Sequence, residues 1–422
     1  MAISRNKVVR LTSLSVLTVA LLFLCAKPMR AQAKNSCLDC HSVLPDELGV
    51  TPEKFSQDIH AQKGLTCESC HGGDESADDA EKAMSPKAGF RGKIDRKQIP
   101  QLCGGNCHSD PAAMRQFDPS LRIDQLSEYK TSIHGQRLAK GDTKVAVCID
   151  CHSVHDIRPP SDPHSKVNPL NVATTCARCH ADPHYMAAYK IPTNQFSEYS
   201  KSVHYEAMVA RGDLSAPTCT TCHGNHGATP PNVTAVATVC SKCHVFQAQL
   251  FNSSPHKEVF ASSGGCITCH SNHGIGHPTD EFIGTGAKSF CTQCHVEGDD
   301  GFVAAAKIKQ DLDHLSVSID RADEILGRAE SSGMEVSQAK LDLTQARDSL
   351  VKVRVATHSA DPRVVAVDID AGLKTASADF AAGEKAMQER NYRRIGLGFS
   401  LVAIMLALVG LRLYIIQIER KA

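Results

Sequence analysis

Apolar residues recur at alternating three- and four-residue spacings through much of the C-terminal third of the chain. Three such runs cover residues 305–329, 336–353 and 369–387. This spacing places the apolar side chains on one face of an α-helix and is typical of helices that pack together. Gly333 and Pro362 separate the runs. We therefore predict three helices that pack as a small antiparallel bundle.

A continuous apolar run near the start of the chain, residues 11–24, follows three basic residues. The sequence Ala-Gln-Ala comes shortly after it, at residues 31–33. These are the parts of a secretory signal peptide and its cleavage site. We predict a signal peptide over residues 1–33, with an uncleaved N-terminal anchor as the alternative.

A second apolar run, residues 395–416, contains one charged residue, Arg412. It is long enough to span a bilayer, and Arg412 lies close enough to its end to reach the interface. No proline separates the run from the third predicted bundle helix. We predict that this helix continues into a transmembrane segment at residues 395–418. A buried helix of a globular domain is the alternative, but no other part of the chain could cover it.

The stretch between residues 34 and 297 has no comparable apolar period and holds 18 of the 19 cysteines. Eight times it reads Cys-x-x-Cys-His. In this motif two thiols bind the vinyl groups of one porphyrin and the adjacent histidine binds the iron, so it is the attachment signal for c-type haem. Zinc ribbons and disulfide frameworks also use closely spaced cysteines, but neither requires a histidine after each pair.

A ninth copy, Cys-Gly-Gly-Asn-Cys-His at residues 103–108, has three residues between its cysteines. Gly104 and Gly105 have the backbone freedom to loop out one residue, so we interpret this copy as a ninth attachment site. The predicted attachment cysteines are Cys37, Cys40, Cys67, Cys70, Cys103, Cys107, Cys148, Cys151, Cys176, Cys179, Cys219, Cys222, Cys240, Cys243, Cys266, Cys269, Cys291 and Cys294. The histidines predicted to bind iron beside them are His41, His71, His108, His152, His180, His223, His244, His270 and His295.

Residues 55–295 contain a unit that repeats four times. Each unit begins with an aromatic residue five positions before a histidine and then contains two haem motifs. In the last three units another histidine follows three residues after the first motif. It lies on the same side of a helical turn as the motif histidine, whereas axial ligands approach from opposite faces, so we expect it to serve a neighbouring haem. The distal ligands predicted from the repeat are His60, His134, His155, His204, His226, His256 and His273.

Nine haems with two histidines each need two distal ligands beyond those seven. The histidines of the helical segment, His314 and His358, are predicted to be surface residues. The additional ligands that we predict are His184 and His277. The alternatives are His164 and the methionines Met84, Met114 and Met186, since methionine also binds haem iron.

The chain carries 46 basic and 46 acidic residues, and this balance gives no indication of nucleic-acid binding. With nine haems, residues 34–297 would hold roughly 29 residues per cofactor, too few for an ordinary side-chain core. We predict a mainly α fold with extensive loops. It comprises a haem-cored multihaem cytochrome domain at residues 34–297, a three-helix bundle at 298–394 and one C-terminal transmembrane helix.

Residues 129–163 and 199–226 resemble bacterial multihaem c-type cytochromes, both class III-like proteins and the membrane-anchored, quinol-linked NapC/NirT-like tetrahaem group. The resemblance covers residues 37–295 through their haem motifs. It implies low-spin haems that carry electrons between a membrane donor, such as a quinol-oxidising complex, and periplasmic cytochromes or reductases. This chain departs from the quinol-linked group in its C-terminal anchor and its larger number of haems.

Two functions remain open at this point. The first is electron transfer by a single-pass inner-membrane protein whose haem domain lies in the periplasm, because covalent haem attachment takes place outside the cytoplasm. Residues 419–422 would then form a cytoplasmic tail, and the bundle would be a spacer or a homo-oligomerisation element. The second is a multihaem oxidoreductase, similar to nitrite reductases or hydroxylamine oxidoreductases, with one open-coordination haem. The altered Cys-x-x-Cys-Lys motif of pentahaem nitrite reductases is absent from the sequence.

Overall fold

The computed structural model describes residues 35–229, 238–262 and 264–420. The predicted signal peptide therefore lies outside the described residues. Within these ranges the chain forms helices and turns and no strands, which confirms the predicted mainly α fold. The chain divides into two compact units between Asn171 and Val172.

The first unit consists mainly of short helices joined by turns. Side chains that precede the helices start several of them by accepting backbone N–H groups, for example Thr51 from Lys54 and Asp110 from Ala112. The helices are α1 Ser36–His41, α2 Pro52–Ser56, α3 Ile59–Gln62, α4 Cys67–His71, α5 Ala80–Ala83, the π-helix Gln101–His108, α6 Pro111–Phe117, α7 Gln125–Thr131, α8 Ile133–Ala139, α9 Cys148–His152 and the start of α10 Pro169–His180.

The second unit continues this pattern and then changes to long helices. Its short helices after α10 are α11 Pro183–Ala187, α12 Gln195–Tyr199, α13 Val203–Arg211, α14 Cys219–His223, α15 Val245–Ser253, α16 His256–Val259 and α17 Ile267–His270. The long helices are α18 Asp300–Ser331, α19 Ser337–Ala356 and α20 Pro362–Glu419, and a short 3₁₀ turn, Thr357–Ser359, lies between the last two.

Helices α18, α19 and α20 pack together as the predicted three-helix bundle. The heptad-like apolar positions form its core, and Leu312 and Leu315 are fully buried. Two glycines of α20 allow the helices to approach closely. A Cβ atom added at Gly372 would lie 2.8 Å from the Leu315 side chain, and one at Gly383 would lie 2.6 Å from Ile325.

Helix α20 runs from Pro362 to Glu419 without a break, so the third bundle helix and the predicted membrane segment are one helix. Asp361 begins it by accepting the backbone N–H of Arg363. Its most apolar segment has a mean hydropathy of 2.3 and none of it is buried. Length and composition are those of a helix that could span a membrane once.

The apolar core is distributed unevenly along the chain. Among the described residues, twelve buried hydrophobic side chains precede residue 300 and eighteen follow it. The bundle, about a third as long as the preceding part, thus has an ordinary side-chain core, whereas the part rich in cysteine and histidine does not. Apolar material other than side chains is needed to fill that part, and porphyrin rings would provide it.

Candidate haem sites

Six pairs of histidine rings face each other across nearly the same distance. The angle between the ring planes varies from 22° to 79°, so the distance is the feature that the pairs share. The separations of the ring centres are 5.9 Å for His60–His108, 6.1 Å for His71–His155, 6.3 Å for His204–His244, 6.1 Å for His223–His273, 6.1 Å for His256–His295 and 6.0 Å for His270–His358.

This separation fits one metal ion between two imidazoles. Metal–imidazole bonds are about 2 Å long, so two imidazoles on opposite sides of one metal have ring centres about 6 Å apart. Rings in direct parallel contact would lie closer, at about 3.5–4 Å. Each pair joins one motif histidine to one histidine outside the motifs, which is the arrangement needed for a haem iron with two axial histidines.

The pairs follow a rule that runs through the repeat. The histidine that begins a unit faces the histidine of the second motif in the same unit, as His204 faces His244. The histidine three residues after a first motif faces the first-motif histidine of the preceding unit, as His273 faces His223. His134 and His226 occupy the equivalent repeat positions, and the same role remains a prediction for them.

Hydrogen bonds to Nδ1 orient several of these rings. The acceptors are the backbone carbonyl oxygens of Leu48 for His41 at 2.8 Å, Gly92 for His71 at 3.2 Å and Thr229 for His223 at 3.2 Å, and the carboxylates of Asp299 for His295 at 3.2 Å and Asp58 for His60 at 3.0 Å. A proton held at Nδ1 leaves the Nε2 lone pair available for a metal.

Asp58 shows how the chain holds one distal histidine. The carboxylate is 3% exposed and accepts the His60 backbone N–H at 2.8 Å. It also accepts the backbone N–H of Ile157, two residues after His155. Although burial favours the protonated acid, the hydrogen bonds from His60 and Ile157 hold the pKa of Asp58 below its usual value. One buried carboxylate therefore fixes two ligand-bearing segments.

Serine takes the place of Asp58 in the other three units. Ser132, Ser202 and Ser254 each lie two residues before the histidine that begins the unit, and all three are buried. The hydroxyl of Ser202 accepts the backbone N–H of Tyr205 at 3.2 Å, which starts helix α13 with His204 in its first turn. The sequence reasoning missed these positions, although Asp or Ser two residues before each of four histidines was a readable signal.

The aromatic residue five positions before the histidine has a structural role in two units. The Tyr129 hydroxyl donates to the carbonyl of Ala146 at 2.9 Å, and the Tyr199 hydroxyl donates to that of Pro217 at 2.8 Å. Both acceptors lie two residues before the first cysteine of a motif. Burial raises the pKa of Tyr199 to about 12, so the hydroxyl stays protonated and can donate at neutral pH.

The irregular motif at residues 103–108 lies in a π-helix, Gln101–His108. A π-helix places hydrogen-bonded residues five apart instead of four, and Ser109 accordingly donates to the carbonyl of Gly104 at 2.7 Å. The wider turn absorbs the additional residue between Cys103 and Cys107, and the ring of His108 faces that of His60 as in the regular sites.

This π-helix corrects the explanation drawn from the two glycines. Neither Gly104 nor Gly105 has a positive φ, so no residue is looped out by a conformation that only glycine adopts. Gly104 is instead a site of close packing, because a Cβ atom there would lie 2.8 Å from Cβ of Leu126. The glycine is needed for the neighbouring helix α7, not for backbone freedom.

Cysteines of several successive motifs lie side by side, and no disulfide joins those that the structure describes. In four cases the first cysteine of one motif is hydrogen-bonded to the first cysteine of the next. These are Cys37 with Cys67, Cys103 with Cys148, Cys176 with Cys219 and Cys240 with Cys266. Since each thiol would bind one porphyrin edge, adjacent thiols would bring the edges of consecutive haems together.

Second cysteines provide the next connection. Cys70 interacts electrostatically with Cys107, Cys222 with Cys243, and Cys269 with Cys294. Together with the thiol pairs, these contacts make neighbours of the four motifs that precede Val172, in the first compact unit. They also make neighbours of the five motifs that end at His180, His223, His244, His270 and His295, in the second compact unit.

The additional histidines expected from the sequence are placed differently. His277 is exposed and its Nε2 lies 2.7 Å from a carboxylate oxygen of Glu206, and the His184 side chain is exposed. Within the described ranges, neither ring faces a motif histidine. The prediction that His358 is a surface residue was wrong, because the side chain is half-buried and its ring faces that of His270.

The comparisons with known proteins match two parts of the chain. A family model described as the doubled CXXCH motif matches residues 208–249, and one described as cytochrome c554 and c-prime matches residues 24–72. No curated protein and no solved structure matches the chain. The two family matches and the ring geometry support a multihaem c-type cytochrome, a haem-based electron-transfer protein.

Proposed function

We propose that this chain is a membrane-anchored nonahaem c-type cytochrome that passes electrons along closely spaced haems. The observation that carries the proposal is the set of six histidine pairs with ring centres 5.9–6.3 Å apart. Two such rings would hold one haem iron between them, and a haem held by two histidines would exchange electrons without a free position for a substrate.

The number nine rests on the irregular motif. The ring centres of His108 and His60 are 5.9 Å apart, close to the 6.0–6.3 Å of the regular sites, and Cys103 is hydrogen-bonded to Cys148 as in three other pairs of first cysteines. Both features support a haem bound by Cys103, Cys107 and His108. The proposed set therefore comprises eight regular sites and this one.

The protein's own groups orient the ligands. Carbonyl and carboxylate acceptors hold the Nδ1 protons of His41, His71 and His295, which fixes the direction of Nε2. When bound, haem supplies one-electron chemistry at iron, and the rigid hydrogen-bonded supports keep the ligands in place between oxidation states. Adjacent thiols would place consecutive haems close together within each unit.

Helix α20 supports the proposed location. We propose that its apolar segment crosses the inner membrane once, with the haem sites in the periplasm and the last residues in the cytoplasm. The partners would be a quinol-oxidising complex at the membrane and periplasmic or outer-surface redox proteins such as cytochromes or reductases. The membrane anchor would keep the haem sites near the donor.

Two measurements on the purified full chain test this proposal. Mass spectrometry is expected to give the mass of the polypeptide plus nine covalently bound haems, and a Cys103→Ala/Cys107→Ala variant should carry eight. Reduction by a quinol-linked donor is expected to be followed by complete reoxidation by a small c-type cytochrome. A mass with eight haems that is unchanged in the double variant would remove the ninth site.

A second candidate function is favoured by one observation at His41. Its Nδ1 is hydrogen-bonded to the carbonyl oxygen of Leu48, and among residues 35–229, 238–262 and 264–420 no histidine ring faces it. An open haem there would suit an oxidoreductase acting on nitrite or hydroxylamine. Paramagnetic resonance and visible spectra of the oxidised protein decide between the two. Electron transfer predicts spectra that do not change with nitrite, hydroxylamine or cyanide, whereas a high-spin haem that binds and turns over nitrite would establish the enzyme.

A further inference from the structure

Within the four repeat units, the first motif of the last unit has no histidine at the regular partner position. His71 and His223 belong to first motifs, and each faces a histidine from the next unit. His270 belongs to the first motif of the fourth unit, and no fifth unit follows it in the sequence. The iron at this site therefore needs a distal ligand from outside the repeat.

His358 lies where that ligand is needed. The centres of the His358 and His270 rings are 6.0 Å apart with 22° between the planes, close to the 6.1 Å and 22° of His223 and His273. Nδ1 of His358 lies 2.9 Å from the carbonyl oxygen of Val355. This is the same Nδ1-to-carbonyl arrangement that orients His41, and it leaves Nε2 free to bind a metal.

The surrounding structure fixes His358 in this position. It lies in the 3₁₀ turn Thr357–Ser359, which packs against helix α15. Ser359 is buried, and its hydroxyl donates to the carbonyl of Ala356 at 2.7 Å. Three residues upstream of the turn, Arg354 forms a bidentate ion pair with Asp280, with both N–O distances 2.8 Å.

We propose that His358, supplied by the helical bundle, is the distal axial ligand of the haem bound by Cys266, Cys269 and His270. This rests on the proposed haem at that site. The turn containing His358 directly precedes α20, the helix that carries the membrane segment. The bundle is thus more than a spacer, because one coordination bond would join the turn that precedes α20 to the haem at Cys266 and Cys269.

Replacement of His358 by alanine in the full chain tests the assignment. His358→Ala is expected to convert one haem per chain from low spin to high spin in paramagnetic resonance, relative to the unchanged protein. Added imidazole should restore the low-spin signal by filling the open position. The matched control is His314→Ala, which removes an exposed histidine from the same bundle and should leave the spectra unchanged.

A methionine variant keeps the test decisive if the alanine variant does not assemble. His358→Met should keep one haem low-spin, add a sulfur-to-iron charge-transfer band and raise the reduction potential of that haem, because thioether ligation favours ferrous iron. Spectra and potentials identical to the unchanged protein would overturn the assignment. Mass spectrometry of the same samples separates the two proposals, since loss of the ligand alone leaves the number of attached haems unchanged, whereas absence of a haem on Cys266 and Cys269 removes the site itself.

Discussion

Buried polar side chains determine how the ligand-bearing segments are held. Asp58, Ser132, Ser202 and Ser254 are each at most 6% exposed. Asp58, Ser132 and Ser202 cap the short helices that carry distal histidines, and the Ser254 hydroxyl accepts the backbone N–H of His256 at 3.2 Å. A capping bond contributes about 1 kcal/mol, and its loss leaves a buried N–H without a partner. The histidines, and the Asp or Ser two residues before each of them, can be read from the sequence, but only the structure shows that these side chains are buried and hold the histidine-bearing segments.

Asp379 is a buried carboxylate whose pKa is shifted upward, whereas the pKa of Asp58 is shifted downward. It lies in the bundle part of α20, is 3% exposed, and its Oδ2 has no hydrogen-bond partner among the described residues. Burial, and next the nearby charge of Asp342, raise the pKa of Asp379. The folded protein therefore holds this proton more tightly than the unfolded chain does.

The raised pKa predicts the direction of a pH effect. The penalty of the buried charge is absent below the ordinary aspartate pKa of about 3.9 and grows as the pH rises through the folded-state value. Asp379→Asn should stabilise the bundle by about 1–3 kcal/mol at neutral pH, with the gain disappearing near pH 4. Thermal unfolding of the full chain, followed by circular dichroism at several pH values, measures it. Asp370→Asn, on an exposed position of the same helix, should show no comparable gain.

At the scale of elements, the chain uses two kinds of helix for two purposes. Short capped helices such as α3 and α13 place one histidine each, whereas α18, α19 and α20 bury one another's apolar faces. The π-helix Gln101–His108 differs from both, because its wider turn accommodates the additional residue between Cys103 and Cys107. Sequence periodicity predicted the long helices because packing requires a continuous apolar stripe. It carried no information about the π-helix, whose hydrogen-bond pattern depends on its neighbours.

The close approach of helix α7 to the π-helix gives a prediction with an internal control. Gly104→Ala should destabilise the haem domain by about 1–3 kcal/mol, because the new Cβ would lie 2.8 Å from Cβ of Leu126. Gly105→Ala meets only the flexible end of Gln101 and should have little effect or stabilise slightly. Thermal unfolding monitored in the haem absorption bands compares the two. Equal destabilisation by both variants would show that glycine flexibility, not packing, is required.

At the scale of the whole molecule, each of the two compact units contains a series of adjacent candidate haem sites. The second compact unit also contains the bundle. The contact between His270 and His358 and the ion pair between Arg354 and Asp280 both join the haem-rich part of the second unit to the bundle. Helix α20 then continues from the bundle as the apolar segment. The apolar segment, the bundle and the candidate haem sites around His270 are therefore connected through packed and ion-paired structure.

Removal of residues 395–422 tests the anchor separately from the haem sites. The bundle core ends before this segment, so the shortened protein should move almost completely from the membrane fraction to the soluble fraction. Its haem content and visible spectrum should not change. An unrelated apolar helix of equal length in place of residues 395–416 should restore membrane association. Retention of the shortened protein in the membrane fraction would show that another part of the chain binds there.

The sequence by itself determined the motif cysteines and histidines, the four-unit repeat, the bundle and the continuous final helix. Haem attachment chemistry fixes the spacing of the motifs, and helix packing fixes the period of the bundle, so both can be read along the chain. Tertiary structure decided which histidines face each other, including His358 and His270, and why residue 104 is a glycine. A distal ligand is defined by a ring-to-ring distance of about 6 Å in space. Sequence separation does not encode this distance when the two partners, His270 and His358, are 88 positions apart.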